Sequence, residues 1–501
     1  MGLYLGIDIG TFESKGVLVD HKGKVKATAS RRHKMLVPQP GWAEHRPRQD
    51  WWGAFCQISK ALLAESRADP RSIRAVAASA IGPCMLPVDG NGEALANAVL
   101  YGVDTRAAVE IELLEREIGR DTVFSRTGNA LTSQSVGPKI LWLKRHSPEV
   151  FVKARSIVTS TTYLVEKLTG EVVIDHYSAA NFAPFYMIDR QAWSDELAPG
   201  ILPMEKLPRL SWSSEIAGRV TRKAAHATGL AAGTPVTAGT IDAAAEAVSV
   251  GVTKGGDMML MYGSTVFMIL LTAARLADPR LWYAPWLFPG QHASMAGLAT
   301  SGTLTHWFRE VAARELEADQ AFAELAREAA RVPAGARGLV MLPYFSGERT
   351  PIHDPHAKGV LFGLNLTHGR GDIYRALLEG IALGTRAAFE AYGEAGALPR
   401  RLRAVGGGTR NAVWAQATSD ASGYRQEVCR VTIGAAYGDA FLAALAVGDV
   451  SKRDIGGWNP VVRRIVPDRR TKAVYDRNYS VFQSLTQKTR AEMAALDAPL
   501  I

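Results

Sequence analysis

Two short turns, far apart in the chain, carry the residue types that hold phosphate groups. The first lies in LYLGIDIGTFESKGVLVD, Leu3–Asp20, and the second in GDMMLMYGSTVFMILLT, Gly256–Thr272. Each joins two apolar, β-rich runs through glycine and hydroxyl residues, which is the pattern of a β-hairpin. A turn of this kind can direct its N–H groups at a phosphate. Two such hairpins facing each other across a cleft predict a nucleotide clamp, and therefore phosphate chemistry.

The first turn also holds a carboxylate. Asp8 lies near the end of the first run, just before Gly10 and Thr11. A carboxylate there can hold Mg²⁺, directly or through water, beside bound phosphates. Gly10 allows close backbone approach, and Thr11 offers a hydroxyl and an N–H to a phosphoryl oxygen. The alternative is an ordinary hairpin whose Asp accepts hydrogen bonds within the turn.

The second turn consists of Gly263, Ser264 and Thr265, and a plain β-turn is again the alternative. A third candidate is GGGTRN, Gly406–Asn411, between a predicted strand and a predicted helix. Its glycines would leave a flat surface for an adenine, with Asn411 near enough for a hydrogen bond. A tight strand-to-helix turn is the alternative. The run matches neither the dinucleotide-binding nor the Walker A pattern, which disfavours a Rossmann enzyme or a P-loop kinase.

Asp242 follows the predicted strand Val236–Thr240 and directly precedes an alanine-rich helix, Ala243–Val250. It can act as the base that accepts a proton from an attacking hydroxyl, or simply as the N-cap of the helix. A helix N-terminus favours an ionised carboxylate, so we expect Asp242 to be a weak base. Phosphoryl transfer tolerates a weak base, because positioning matters more than proton removal in a loose transition state.

Two loops of the first half carry aromatic and charged groups. Trp42 lies in GWAEHRP, Gly41–Pro47, while Asp104 and Arg106 lie in YGVDTR, residues 101–106. An aromatic face beside a carboxylate suits a polyhydroxylated ligand. Surface loops with an Asp/Arg pair are the alternative.

Predicted strands alternate with predicted helices in both halves, which indicates α/β layers. The chain of 501 residues is too long for one core, so two domains are expected. We place their junction before the second hairpin, giving domains at residues 1–246 and 247–501. Amphipathic spacing predicts helices over Asp50–Glu65 and Lys472–Leu496.

The composition excludes several classes of protein. Hydrophobic residues make up 47% and charged residues 21%, as in a globular protein. The net charge of +9 is scattered, so nucleic-acid binding is not expected. Three distant cysteines without a CxxC indicate neither disulfides nor a zinc site and fit a reducing compartment. The absence of a leader-like start and of a long apolar run predicts a cytoplasmic protein that does not enter a membrane.

Together these motifs resemble the FGGY family of carbohydrate kinases, in the actin/hexokinase/Hsp70 superfamily, nearly end to end. The most specific stretch is GVLFGLNLTHGRGDIYRALLE, Gly359–Glu379, which fits the second signature of the family. GIDIGT at the start, the segment Gly41–Pro47 and SGERTP, Ser346–Pro351, are most similar to the xylulokinases of that family.

The resemblance implies two actin-like (ribonuclease H-like) domains with a cleft, ATP mostly on the second and a small sugar or polyol mostly on the first. It implies Mg²⁺ as cofactor and, at the family level, a homodimer. Asp8 becomes the metal and phosphate residue and Asp242 the general base. The remaining roles are phosphate binding by Gly10, Thr11, Gly263, Ser264 and Thr265, adenosine binding by Gly407, Gly408 and Asn411, and sugar binding by Trp42, Gly82, Pro83, Asp104, Arg106 and Asp242.

The sequence departs from the xylulokinase pattern around the sugar. Ile81–Gly82–Pro83 stands where a Gln-Met-His run usually contacts the ketose, and Ile241–Asp242–Ala243 replaces Gly-Asp-Asn. Val266 stands where the second phosphate turn usually ends in glycine. D-Xylulose is therefore only the default acceptor. The alternatives are another ketose or polyol (a tetritol, a pentitol, L-ribulose, glycerol), or a non-catalytic sugar sensor or ATPase of the superfamily.

Overall fold

The structure is a computed structural model that describes residues 2–317 and 320–497. Within these residues each half of the chain builds a seven-stranded mixed sheet. The strands of the first sheet are β1 Leu3–Ile9, β2 Glu13–Asp20, β3 Val25–Arg32, β4 Ile73–Ala80, β5 Ile216–Arg219, β6 Pro235–Thr237 and β7 Thr240–Ile241. The strands of the second are β8 Asp257–Tyr262, β9 Val266–Thr272, β10 Trp282–Pro285, β11 His292–Leu298, β12 Arg401–Val405, β13 Gln426–Cys429 and β14 Val461–Ile465.

The two sheets share one pairing scheme. The order in the first is β5-β6-β4-β1-β2-β3, with β7 also pairing β4, and in the second β10-β11-β9-β8-β12-β13-β14. In each sheet an antiparallel hairpin (β1–β2, β8–β9) pairs in parallel with a later strand (β4, β12). This repeated scheme confirms the predicted α/β layers in both halves.

Helices pack on the sheets. Their bounds are α1 Ala54–Ser66, α2 Ala108–Ile118, α3 Arg120–Thr127, α4 Val136–His146, α5 Pro148–Lys153, α6 Ser160–Thr169, α7 His176–Ala179, α8 Arg222–Thr228, α9 Asp242–Ser249, α10 Gly302–Ala312, α11 Ala321–Arg331, α12 Arg370–Glu394, α13 Ala412–Ser422, α14 Ala435–Ala446, α15 Ile455–Trp458, α16 Lys472–Lys488 and α17 Arg490–Ala495. In the described part of the chain none of them is both long and apolar enough to cross a bilayer.

Short two-stranded ladders complete the structure. They pair Glu44–His45 with Ala98–Val99, Leu86–Val88 with Ser156–Val158, Val173–Asp175 with Arg209–Ser211, Tyr186–Met187 with Ala192–Trp193, and Val340–Leu342 with Val360–Phe362.

Strand β1 lies at the centre of the first sheet and is almost entirely buried. Its apolar residues face two separate core clusters, one on each side of the sheet. A strand covered on both faces reads as a continuous apolar run, which is why Leu3–Ile9 could be predicted. On one face, a Cβ added to Gly6 would lie 1.9 Å from the carbonyl oxygen of Ala436 in α14. The second half of the chain therefore packs directly on the strand that carries Asp8.

Helices α9 and α14 cross at the junction of the two halves. A Cβ added to Gly438 would lie 1.8 Å from the carbonyl oxygen of Ala245, so the crossing needs glycine. Helix α9 spans Asp242–Ser249 and so runs through the predicted junction between residues 246 and 247. That division of the chain stays a prediction.

Three predicted elements have different bounds in the structure. The helix expected over Asp50–Glu65 is preceded by a wider turn of helix, Pro47–Gly53. The C-terminal helix divides into α16 and α17 at Thr489. The strand Val236–Thr240 is interrupted at Gly239, where φ is +70° and a Cβ would lie 2.3 Å from the carbonyl oxygen of Ala78. Strand pairing resumes at Thr240–Ile241, and α9 begins directly after it at Asp242.

Candidate active site

Four carboxylates gather where β1, α9 and α14 meet, with Asp439 fully buried and Asp8, Asp242 and Glu246 partly exposed. Burial raises the pKa of Asp8 well above its usual range, and the charges of Asp242, Asp439 and Glu246 raise it further. The Ser79 hydroxyl lies 2.7 Å from Oδ2 of Asp439 and 3.2 Å from Oδ1 of Asp8. One hydroxyl proton can serve only one of these acceptors. The cluster is therefore rich in negative charge and poor in donors.

Asp242 is the first residue of α9, and Ile241 is the N-cap. Its Oδ1 accepts the N–H of Ala243 at 2.7 Å. Burial raises its pKa to about 7, the Ala243 N–H opposes this, and the charge of Glu246 adds to it. The N-cap alternative is therefore wrong, since Ile241 takes that position. The expectation of a weak base is also wrong, because desolvation outweighs the favourable field of the helix N-terminus. A carboxylate with this pKa accepts a proton near neutral pH.

The second turn is held from below by the start of α10. The carbonyl of Gly263 accepts the N–H of Gly302 at 3.0 Å, and the carbonyl of Ser264 accepts the N–H of Ser301 at 3.1 Å. Val266 is the buried first residue of β9 and pairs with Tyr262. Val266 is part of the strand ladder and does not adopt a positive φ, so the turn closes without a glycine at this position.

A cavity of about 740 Å³ opens between the second turn and the glycine-rich segment. This volume lies in the range of about 300–1,000 Å³ that holds drug-sized ligands. Five of the six residues that the sequence assigned to phosphate or adenosine binding in the second half line it. These five are Gly263, Ser264, Gly407, Gly408 and Asn411.

The glycine-rich segment has two distinct surfaces. Nothing lies within 4 Å of a Cβ added to Gly407, so its face is open to the cavity. A Cβ on Gly408 would lie 2.4 Å from the ring of Trp414, so this glycine makes room for the indole. Asn411 caps α13 by accepting the N–H of Trp414 with its side-chain oxygen at 3.1 Å. The side-chain oxygen of Asn411 is therefore engaged within the helix cap, and a hydrogen bond from Asn411 to adenine stays a prediction.

A smaller cavity of about 200 Å³ lies on the other side of the second turn. Its lining includes Asp242 and Thr265 and the predicted substrate residues Gly82 and Pro83. Gly263 and Ser264 line the large cavity while Thr265 lines the small one, so the turn separates the two. A small acceptor and a nucleotide would therefore meet across Gly263–Thr265.

Residues of both halves line the small cavity. The hydroxyl of Tyr101, which contributes to the lining, lies 3.1 Å from the hydroxyl of Thr11 in the first turn. Arg349 is the one cationic side chain among the described lining residues, as Asp242 is the one anionic side chain. Burial lowers the pKa of Arg349, while Glu348 and Tyr101 counteract this. The cavity thus presents one carboxylate and one cation among apolar and uncharged polar side chains.

Trp42, Asp104 and Arg106 come together, but away from the lining of the small cavity. The Asp104 carboxylate accepts the N–H of Ala43 at 2.7 Å and a hydrogen bond from the Arg106 guanidinium at 2.7 Å. That guanidinium also pairs with Glu44 and lies 3.9 Å from the Trp42 ring centroid. The charged groups of Asp104 and Arg106 are thus paired within the protein, and sugar binding by these three residues stays a prediction.

Sequence reasoning missed several residues of the site. Asp439 could have been predicted as a functional residue, because it is the one charged residue in α14, a helix of small and apolar residues. Glu246 lies one turn after Asp242 on α9. Other lining residues were not singled out individually, because segments distant in sequence, some of them loops and some of them helices, bring them together. They are Gln134, Asn181 and Arg349 in the small cavity and His306, Phe322 and Tyr374 in the large one.

Comparison with known proteins decides the family. Sequence models of the FGGY family of carbohydrate kinases match the chain over residues 3–249 for the N-terminal domain and 258–447 for the C-terminal domain. The chain belongs to this family. Its two mixed sheets are the two actin-like domains of the FGGY kinases, which confirms the predicted fold class.

Individual FGGY kinases are similar over nearly the whole chain. The xylulose kinase of Escherichia coli K12 is 30% identical, over 98% of this chain and 100% of that protein. The crystal structure of xylulose kinase from Rhodospirillum rubrum has a TM-score of 0.91 at 32% identity, covering 98% and 99% of the two chains. The glycerol kinase of Alkaliphilus oremlandii is 28% identical over 89% and 88%. The FGGY kinase described here is thus an ATP-dependent sugar phosphotransferase, as predicted.

Proposed function

We propose that this FGGY kinase transfers the γ-phosphoryl group of ATP to a hydroxyl of a small sugar, with D-xylulose as the preferred acceptor. One observation carries the proposal. The turn Gly263–Thr265 forms a wall common to the large cavity and to the small cavity that holds Asp242. A nucleotide in the first cavity would place its terminal phosphate beside an acceptor in the second.

The geometry supports an in-line transfer. A hydroxyl of the acceptor, oriented by Asp242, attacks the γ-phosphorus. A new O–P bond forms as the bond from the γ-phosphorus to the β-bridging oxygen breaks, and the hydroxyl proton passes to the Asp242 carboxylate. Thr11 and the second turn hold the phosphates, which keeps the γ-phosphoryl group in line with the attacking hydroxyl. Positioning and charge stabilisation supply most of the catalysis in such transfers.

The carboxylate cluster fits Mg²⁺. Oδ1 of Asp439 is buried without a hydrogen-bond partner in the described residues, and the Asp8 carboxylate faces three other acids. Within residues 2–317 and 320–497 no three His, Cys, Asp or Glu side chains form a ready-made metal cage. Mg²⁺ needs no such cage, since it is usually held by one or two carboxylates, water and substrate phosphates. Asp8, supported by Asp439, would hold the ion, which supplies positive charge to the transferring phosphoryl group.

The small cavity supports a compact acceptor. Its volume of about 200 Å³ is below the usual size for drug-like ligands. Gly82 and Pro83 offer no side-chain hydrogen bond, so Gln134, Asn181 and Arg349 become the polar contacts for the sugar. The similarity to xylulose kinases favours a pentulose. ATP as donor supports the predicted cytoplasmic location, and a homodimer stays a prediction, to be checked by light scattering.

A coupled ADP-release assay tests this function. Purified protein with ATP and Mg²⁺ is assayed against pentuloses, tetritols, pentitols, hexuloses, aldonates and glycerol, and kcat/KM is compared. We expect D-xylulose to give the highest value. A higher value for another acceptor would reassign the substrate, and ATP hydrolysis that no acceptor stimulates would overturn the sugar-kinase function. The aldonates test whether Arg349 has been recruited to bind a carboxylate.

The pH dependence of the reaction should reveal Asp242. The base must be ionised to take a proton, and its pKa is raised to about 7 by burial, so kcat/KM should rise with pH through about 7 and then level off. Glu246→Gln removes a like charge and should shift this rise to lower pH. Glu171→Gln, at an exposed position, should leave it in place. A profile that is flat from pH 5 to 8 would contradict the assignment.

A further inference from the structure

His33 lies directly behind the first phosphate turn. It follows β3, whose last residue Arg32 pairs with Glu13 at the end of the turn. The backbone N–H of His33 donates to the carbonyl of Phe12 at 3.0 Å, and its ring Nε2 lies 2.8 Å from the carbonyl oxygen of Gly10. His33 therefore contacts the turn at two positions, binding Phe12 through its backbone and Gly10 through its ring.

The contact with Gly10 determines which ring nitrogen of His33 carries a proton and how the Gly10–Thr11 peptide is oriented. A carbonyl oxygen only accepts, so Nε2 of His33 must carry the hydrogen and donate it. The C=O of Gly10 and the N–H of Thr11 belong to one trans peptide unit, in which they point in opposite directions. Because His33 holds the carbonyl, the N–H of Thr11 is directed away from the ring, towards the side where phosphate would bind. In the described residues no acceptor is bonded to this N–H.

A second histidine supports the first. The rings of His33 and His45 meet edge to face, with centroids 5.0 Å apart. Buried Trp51 donates its indole N–H to Nδ1 of His45 at 3.0 Å, which fixes the orientation of that ring. Burial lowers the pKa of His45 to about 4, with His33 adding to the effect, so His45 is neutral near pH 7. His33 thus rests on an uncharged, well-anchored surface.

We propose that His33 is a positioning residue that holds the Gly10–Thr11 peptide so that the Thr11 N–H and hydroxyl address the phosphates of ATP. The inference rests on the proposed function, because it assumes that the first turn binds phosphate. His33 itself does not touch the nucleotide. Its role is to prevent rotation of the Gly10–Thr11 peptide unit. If that peptide turned over, the carbonyl of Gly10 would face the phosphate in place of the Thr11 N–H and would repel it.

Three variants separate this role from simple packing. His33→Gln keeps an N–H donor at similar reach, His33→Asn keeps an amide that is too short, and His33→Leu fills the space without a donor. His21→Gln, on the exposed turn between β2 and β3, is the matched control. The Gln and Asn pair still decides the question where the Leu variant fails to fold.

The readouts are the dissociation constant of the Mg²⁺ complex of ATP from calorimetry, and kcat and KM for ATP and for the acceptor. Loss of one hydrogen bond predicts that His33→Asn weakens ATP binding and kcat/KM for ATP about ten-fold, with the acceptor KM within about two-fold of wild type. His33→Gln should restore most of the loss. Equal ATP affinity in the Asn and Gln variants and the wild type would overturn the proposal.

These outcomes are distinct from failure of the proposed function. Wild-type protein that transfers no phosphate to any acceptor would remove the proposed function, while the calorimetric comparison of the His33 variants would still show whether the turn depends on His33. An equal loss of affinity in all three variants would mean that the ring is needed for its shape, and would also overturn the proposal.

Discussion

Replacing Asp242 with Asn should lower kcat by about 10²–10⁴-fold, the range that a positioned general base contributes. Asn has nearly the same shape and can still accept the N–H of Ala243, which Oδ1 of Asp242 accepts at 2.7 Å. It cannot take a proton from the acceptor hydroxyl. We therefore expect loss of turnover with little change in the dissociation constant for the Mg²⁺ complex of ATP, measured by calorimetry.

Two further results belong to this prediction. The rise of kcat/KM through pH 7 should be absent from the residual activity of Asp242→Asn. Asp121→Asn changes an exposed carboxylate in the first turn of another helix, α3, and should have wild-type kinetics. A kcat for Asp242→Asn within ten-fold of wild type would exclude Asp242 as the base.

Local signals were enough to predict much of the site. The turns at Gly10–Thr11 and Gly263–Thr265 are visible because each interrupts a continuous apolar run, and hairpin register follows from the turn. Helices α9 and α14 are visible through their small apolar residues. The pKa of Asp242 was predicted in the wrong direction, since a helix N-terminus can be read from sequence whereas the depth of burial cannot.

Long-range packing accounts for what the sequence did not show. Asp439 joins the site only because glycines at positions 6 and 438 let α14 approach both β1 and α9. Arg349 reaches the small cavity from a loop of the second half. Asp104 shows the same limit, because its carboxylate accepts hydrogen bonds from Arg106 and from a backbone N–H that the sequence did not indicate. Such partners depend on tertiary contacts that spacing along the chain does not encode.

Replacing Asp8 with Asn should change activity and stability in opposite directions. Loss of the carboxylate that would hold Mg²⁺ removes several kcal/mol of transition-state stabilisation, so we expect kcat/KM to fall by about 10²–10³-fold or more. The free energy of unfolding should rise by about 0.5–2 kcal/mol, because the substitution removes a charge that is unfavourable for folding and is kept for function. Steady-state kinetics and urea unfolding measure the two effects.

The sign of the stability effect follows from the pKa of Asp8. Burial, together with the other acids, raises that pKa above its value in the unfolded chain. Such a group favours the folded state most at low pH, and this contribution is lost as pH rises through the folded pKa. The neutral amide of Asn avoids the free-energy cost of ionising a carboxylate at this position. The stability gain of Asp8→Asn over wild type should therefore grow with pH and shrink in acid.

Asp20 provides the matched control, because it lies in the same hairpin with the opposite pKa direction. Burial opposes its ionised form, but hydrogen bonds from Lys26 and from the N–H groups of Lys22 and Lys24 outweigh burial and lower its pKa. Asp20→Asn should therefore destabilise the fold and leave kcat unchanged. If Asp8→Asn destabilises the protein as Asp20→Asn does, the ionised Asp8 carboxylate does not destabilise the fold. The claim that Asp8 lowers stability while it supports phosphate transfer would then be wrong.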